Sequence, residues 1–401
     1  MQSEEQESRA AESGAETGGG PQPAGAEDTG RDAKAQPLVV VSNRLPIRLE
    51  VTPQGWRSHA SSGGLATAMA GVVKGGPDGP GRQMTWVGWP GADVPAEQQD
   101  EVRRNLAAQR LAPVFLTAAQ EALYYRDFSN AVLWPLLHYF SHLVDYRPDA
   151  WRGYQEVNEL FAEQVAATAP EGAQVWVHDF HLMLLPQMLR ERRADLEIGF
   201  FLHIPFPSSE IYRQMPQREE ILRGVLGSDY ISFHTGDYAR HFQSTCTRVL
   251  GLESEPSHIV FEGRRVGGGV DPIGIDTQHF ADVLGNPRTE RLSGQLVDRY
   301  EGRRLLLGIE RLDYTKGVLH KLAGFARYLE RDPKRVHDTV LLQILVPSRL
   351  NHPEYQQLKR EIEEAIGRIN GAFGLPGRQP IEYMHRSLDP EELVSLYRSA
   401  K

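Results

Sequence analysis

Apolar residues in this chain fall in short continuous runs, separated by polar stretches rich in glycine and proline. The runs lie at 38–44 (LVVVSNR), 84–89 (MTWVGW), 174–178 (QVWVH), 198–204 (IGFFLHI), 229–234 (DYISFH), 304–310 (RLLLGIE), 339–347 (TVLLQILVP) and 381–384 (IEYM). Most lack the strict alternation of a half-exposed strand, so they predict parallel strands covered on both faces. Helical spacing lies between them. Over 353–369, Tyr355, Leu358, Ile362, Ile366 and Ile369 share one face behind a first-turn Pro353. Over 390–400, Asp389 is placed to cap a helix that begins with Pro390. This alternation predicts a doubly wound α/β fold, and no internal repeat is visible.

Residues 270–276 (VDPIGID) read as the close of a first sheet, and the polar stretch over 278–302 reads as a break. The pattern therefore divides the chain into a Rossmann-like domain over 37–285 and a second over 300–401. The second offers three clear strands and about three helices, little more than half of such a fold. On this reading it is incomplete, either truncated or completed by a partner chain.

Composition narrows the class. The 401 residues carry a net charge of −9, of which the Gly-, Ala-, Glu- and Pro-rich stretch 1–36 accounts for −5. That stretch has no large apolar residue after Met1 and is expected to be a disordered acidic tail. The acidic remainder argues against a nucleic-acid binder. No apolar run reaches the length of a membrane span, and the N-terminus is unlike a secretory signal. Cys246 is the single cysteine, which suits a reducing cytoplasm and reads as a buried small hydrophobe. The expected partners are small-molecule substrates and further copies of the chain in a homo-oligomer, with no nucleic acid and no membrane.

Polar residues gather where the apolar runs end. In ERLDYTKG, Arg311 and Lys316 follow a buried strand and precede Gly317 and a helix, an arrangement that suits a diphosphate. Ser42-Asn43-Arg44 ends another strand, and Ser61-Ser62-Gly63-Gly64-Leu65 reads as a turn whose glycines would let backbone N–H groups approach a phosphate. In YYRDFSNAVLWPLLHY, Tyr125 and Trp134 read either as a sugar-stacking wall or as core aromatics. His178-Asp179-Phe180-His181 ends a strand. Without a further His or Cys cluster, Asp179 fits a hydroxyl-binding carboxylate better than a zinc ligand. His203 stands at the mouth of the strand in FFLHIPFPSSE, and Val346-Pro347-Ser348-Arg349 presents a guanidinium at another strand end.

The segments SNRLP, SSGGL, YYRDFSNAVLWP, VWVHDFHLMLLP, IGFFLHIPFPSSEI, PIGID, ERLDYTKG, VPSR and GRINGAFG run in this order along 38–401. Together they closely resemble the trehalose-6-phosphate synthases, retaining glycosyltransferases of the GT-B fold. The resemblance implies glucose transfer from UDP- or GDP-glucose, as co-substrate, to glucose 6-phosphate, without a further cofactor or metal. It also implies a set of roles. Gly63, Gly64, Arg311, Lys316, His203 and Leu388 would hold the nucleotide-sugar. Arg44, Tyr125, Trp134, Asp179 and Arg349 would hold glucose 6-phosphate. His203, Asp179, Arg311 and Lys316 would act at the reacting centre. Two alternatives stand beside this one: a synthase with another phosphorylated acceptor, such as glycerol 3-phosphate or a cyclitol phosphate, and an inactive protein that binds sugar phosphate. The family's acidic donor loop would lie beyond position 401, which favours the second alternative somewhat.

Overall fold

The computed structural model describes residues 36–52, 55–60, 84–349 and 353–400. Its larger sheet contains β1 (Leu38–Arg44), β4 (Met84–Trp89), β5 (Leu111–Pro113), β6 (Gln174–His178), β7 (Glu197–Leu202), β8 (Tyr230–Phe233), β9 (Ser254–Glu255), β10 (His258–Phe261) and β11 (Arg264–Val270). The spatial order is β5-β4-β1-β6-β7-β8-β11-β10-β9. Every pairing from β5 through β11 is parallel, while β10 and β9 add an antiparallel edge. From β1 the chain first builds towards β4 and β5, then returns to place β6 on the other side of β1. The order thus reverses between β1 and β6, where open α/β sheets leave a crevice beyond their carboxyl ends.

Burial explains why β1 reads as an unbroken apolar run. Val39 and Val41 pack into one core with Val175, Val177 and the helix Pro148–Thr168, which contributes Tyr154, Val157 and Phe161. Leu38 and Val40 face the opposite side, against Met84, Trp86 and the helix Ala96–Ala107. Side chains alternate along the strand, but both faces are covered, so no polar position interrupts the run.

A second sheet is wholly parallel, in the order β12 (Arg304–Arg311), β13 (Thr339–Val346), β14 (Ile381–Met384). The helices Val318–Arg331 and Pro353–Phe373 cover one face, with Leu322, Phe325, Ile362 and Ile366 against Leu341 and Leu345. Leu305, Val340, Leu342, Ile344 and Leu396 pack on the other face. A capping box closes the start of the helix Pro390–Ser399, in which Asp389 and Glu392 satisfy each other's backbone N–H groups.

Three details differ from the sequence reading. The closing parallel strand is Arg264–Val270, and 271–276 is irregular. The run at 198–204 leaves the sheet after Leu202, so His203 begins a loop. The polar stretch 278–302 is largely helical, as Thr277–Leu284 and Pro287–Arg299. Tyr300, just after the second of these helices, is buried beside Leu305, and Arg288 bonds Asp389 at 2.6 Å. A hairpin, β2 (Ile47–Thr52) with β3 (Gly55–Ala60), also stands apart from both sheets.

Candidate active site

Carboxyl ends of parallel strands from both sheets open onto one cavity of about 580 Å³. Arg44 enters it from β1. The β1–β4 register slips between Val41 and Arg44, which re-aims that last residue. Gly88 permits the bend, because a Cβ there would lie 2.8 Å from the backbone nitrogen of Leu45. Trp86 donates its indole N–H to Ser42 Oγ at 2.8 Å, and the Ser42 hydroxyl donates to the Arg44 carbonyl at 2.7 Å. The Arg44 guanidinium lies 4.6 Å from the Trp89 ring and 5.5 Å from that of Tyr125.

Tyr125 and Trp134 come from Ala122–Leu133, a π-helical segment, and from the helix that follows it. Wide π turns recur at functional sites because they rotate side chains off the regular helical face. These aromatics belong to the core and also line the cavity. Trp134 packs in the core against Phe180 yet lines the cavity, and Tyr125 stacks on His181 at 5.7 Å. The Trp134 indole N–H is buried and has no hydrogen-bond partner among the described residues.

Asp179 follows β6 with φ 77° and ψ 168°, a region almost reserved for glycine. Its N–H extends the ladder to Phe201 at 2.8 Å, and its Oδ1 accepts from the backbone N–H of His203 at 3.3 Å. Strain of this kind persists where surrounding bonds over-determine it, and it clusters at functional sites. Burial pushes the Asp179 carboxyl up to about 6, partly offset by N–H donors at Phe180 and His203 and by Arg311 and Arg349. His203 sits 3.0 Å from His178, ring nitrogen to ring nitrogen. Burial lowers His203 to about 4, helped by His234, and lowers His178 and His181 well below the usual imidazole range. His138 is also lowered to about 4 by burial, against the opposing pull of the Trp134 carbonyl. At neutral pH these imidazoles are uncharged hydrogen-bonding groups.

The second sheet contributes Arg311, Thr315, Lys316 and Arg349. Arg311 closes β12, and Lys316 lies in the one-turn helix Tyr314–Lys316, followed by Gly317 at φ 62°. Arg349 follows β13, also at positive φ, with its guanidinium 4.3 Å from the Trp134 ring. Arg311 reaches the same ring at 5.7 Å. Four cations and one carboxylate, Asp179, therefore line the cavity, a balance that favours anionic ligands.

Eight of the eleven expected site residues meet here: Arg44, Tyr125, Trp134, Asp179, His203, Arg311, Lys316 and Arg349. Leu388 does not line the cavity; it packs, half-buried, beside the core around Tyr300 and Leu305. Gly63 and Gly64 lie outside the described residues. Cys246 is buried in the core, and burial raises its thiol. Among the described residues no group of His, Cys, Asp or Glu is arranged to hold a metal ion, and no helix is long and apolar enough to cross a membrane. Sequence reasoning missed His138, Thr315 and, behind Arg349, Asp313 and Tyr355. Asp313 had a signal: an Asp two residues before a Thr, inside the Arg311–Lys316 turn, is an Asx-turn pattern.

Residues 36–401 match the family described as Glycosyltransferase family 20. The chain belongs to glycosyltransferase family 20. An Aspergillus niger relative, alpha,alpha-trehalose-phosphate synthase [UDP-forming] 2, is 44% identical over 370 residues, covering 90% of this chain and 76% of that protein. Among solved structures, an E. coli one described as trehalose-6-phosphate bound with UDP-2-fluoro glucose superposes with a TM-score of 0.78 at 29% identity, covering 91% of this family 20 chain and 76% of the other. A Burkholderia xenovorans alpha,alpha-trehalose-phosphate synthase (UDP-forming), in complex with glucose-6-phosphate, gives 0.78 at 28% identity, over 91% and 77%. With these neighbours, the two sheets facing one cavity are those of a GT-B glycosyltransferase.

Proposed function

We propose that this chain transfers glucose from UDP-glucose to glucose 6-phosphate with retention, giving α,α-trehalose 6-phosphate. The observation that carries the proposal is the one cavity in which Arg44, Arg311 and Arg349 lie against the Trp134–Tyr125 wall and Lys316 joins the lining. Four cations around one cavity suit a pair of anionic substrates, one with a terminal phosphate and the other with a diphosphate. The UDP-forming relative, the bound UDP-2-fluoro glucose and the bound glucose-6-phosphate support the same pair.

In this reading Arg44 and Arg349 grip the acceptor phosphate, while Tyr125, Trp134 and Asp179 hold its sugar. Arg311 and Lys316 bind the donor diphosphate, His203 faces the donor glucose, and Gly63, Gly64 and the backbone near Leu388 complete the donor site. The donor C1–O bond breaks as the acceptor hydroxyl attacks from the same face. The hydroxyl proton passes to an oxygen of the departing diphosphate. Negative charge thus grows on the leaving group, where Arg311 and Lys316 stabilise it. The rest of the acceleration comes from holding two sugars in contact. Neutral His203 can donate to or accept from a sugar hydroxyl without competing for the phosphates.

The test is UDP release from UDP-glucose with glucose 6-phosphate, glycerol 3-phosphate or a cyclitol phosphate as acceptor, with the anomeric configuration read by NMR. An α,α-linked product from glucose 6-phosphate is expected. Turnover only with another acceptor, or binding of glucose 6-phosphate without transfer, would replace the proposal with one of its alternatives.

A further inference from the structure

We infer that Asp313 is a positioning residue that joins the two anion sites, so that loading either one tightens the other. The inference rests on the proposed assignment of Arg349 to the acceptor and of Arg311 and Lys316 to the donor. Asp313 stands between Arg311 and Lys316 in the chain, and its side chain is fully buried. One carboxylate oxygen, Oδ1, accepts from the Thr315 N–H at 3.0 Å and from the Thr315 hydroxyl at 2.9 Å. This caps the turn that carries Lys316. The other oxygen, Oδ2, accepts from Arg349 Nη1 at 3.4 Å and from the Tyr355 hydroxyl at 3.4 Å, and Arg349 also donates to that hydroxyl.

One buried carboxylate therefore holds the donor-side turn with one oxygen and the acceptor-side arginine with the other. An anion that fixes Arg349 restricts Asp313, and through Oδ1 it restricts the turn bearing Lys316. The reverse holds for a diphosphate on the turn. Thermodynamic linkage requires the two effects to be equal. Arg44 reaches the same cavity from the other sheet with no contact to Asp313, so it lies outside this coupling.

The experiment is calorimetric titration of the chain with UDP and with glucose 6-phosphate, each alone and with the other at saturation. In the unaltered chain each ligand should tighten the other by the same factor, about 5- to 150-fold. Asp313→Asn keeps the shape and an oxygen for Thr315 but turns an amide towards Arg349 and Tyr355. It should bring the factor to about one, while each ligand still binds alone. Thr315→Val removes one bond on the other arm and should lower the factor by itself, which keeps the inference open to refutation if Asp313→Asn fails to fold. In steady state, both substitutions should raise the KM of both substrates more than they lower kcat. An unchanged factor in either folded variant overturns the inference and leaves the proposed function standing. Binding of neither ligand to the unaltered chain overturns both.

Discussion

Arg349 and Arg311 both bring a guanidinium to the Trp134 ring, at 4.3 and 5.7 Å, yet the protein holds them differently. The Arg349 side chain is only 10% exposed and is paired with a fully buried Asp313 and with Tyr355. Arg311 and Lys316 are exposed and form no ion pair among the described residues. A tethered arginine keeps less rotamer freedom than an exposed one, so binding has less left to order. That suits a phosphate that stays on its sugar throughout the reaction. An exposed pair can follow a diphosphate that arrives, gains charge and departs. The contrast thus supports the proposed division of the cavity into a static anion site and a leaving-group site.

Removing Arg349 should break the contrast most severely. Arg349→Ala leaves a buried carboxylate without its cation, a loss of about 3 kcal/mol or more in unfolding free energy. Urea denaturation measures it, and a steep rise in the KM for glucose 6-phosphate should accompany it. A loss within about 0.5 kcal/mol, as at ordinary surface positions, would mean that the tether carries no weight.

Arg311→Ala should show the opposite signature. Its unfolding free energy should stay within about 0.5 kcal/mol of the parent because the side chain is exposed and unpaired. Turnover should fall by about 10²- to 10³-fold, the usual cost of deleting one donor to developing charge. Near-full turnover would remove the leaving-group role.

Asp179 sharpens the comparison from a third position, since its strain and burial are costs retained at the site. Its carboxyl has risen from 3.8 to about 6, so the folded state prefers it protonated. That preference is fully present below about pH 4 and is lost as pH rises through 6. At pH 7.5 the ionised group costs the fold about 1–3 kcal/mol relative to a neutral side chain of the same shape. Asp179→Asn should therefore melt higher than the parent at pH 7.5, converge with it near pH 4, and turn over more slowly. A lower melting temperature at pH 7.5 would show that the carboxylate is stabilising as it stands.

The sequence carries the parallel strands plainly, because burial on both faces leaves apolar runs such as LVVV at 38–41 and LLQILV at 341–346. It carries most of the site for a related reason: charged residues at the ends of such runs have no place in a core. The hairpin Ile47–Thr52 and Gly55–Ala60 is harder to find among continuous runs because it alternates: Ile47, Leu49, Val51 and Trp56 pack towards the core around Val40 and Trp86, while Arg48 and Glu50 between them are exposed. Strand Arg264–Val270 contains three consecutive glycines, and the close packing of Gly267 and Gly269 against Tyr230 is visible only in three dimensions. The π-helical stretch Ala122–Leu133 has no period of its own in the sequence, so Tyr125 and Trp134 left two readings open. Asp313 sits in a turn whose polarity its cations already account for, and its partner Tyr355 reads in the sequence only as one apolar position of a helix.

Trp134 is the surface the two kinds of cation share, and it offers the finest test of their difference. Trp134→Phe keeps an aromatic face but weakens its pull on a guanidinium, an effect of about 0.5–1 kcal/mol for each cation. Arg349 lies closer to the ring and is held there, while Arg311 is more distant and exposed. The substitution should therefore raise the KM for glucose 6-phosphate a few-fold and that for UDP-glucose less. Stability should suffer little from the lost indole N–H, because that group is buried without a partner among the described residues. Some packing loss against Phe180 remains, and a melting curve measures it separately. Equal changes in both KM values would mean that the ring supports the two guanidiniums alike, leaving the Asp313 tether as the whole of the asymmetry.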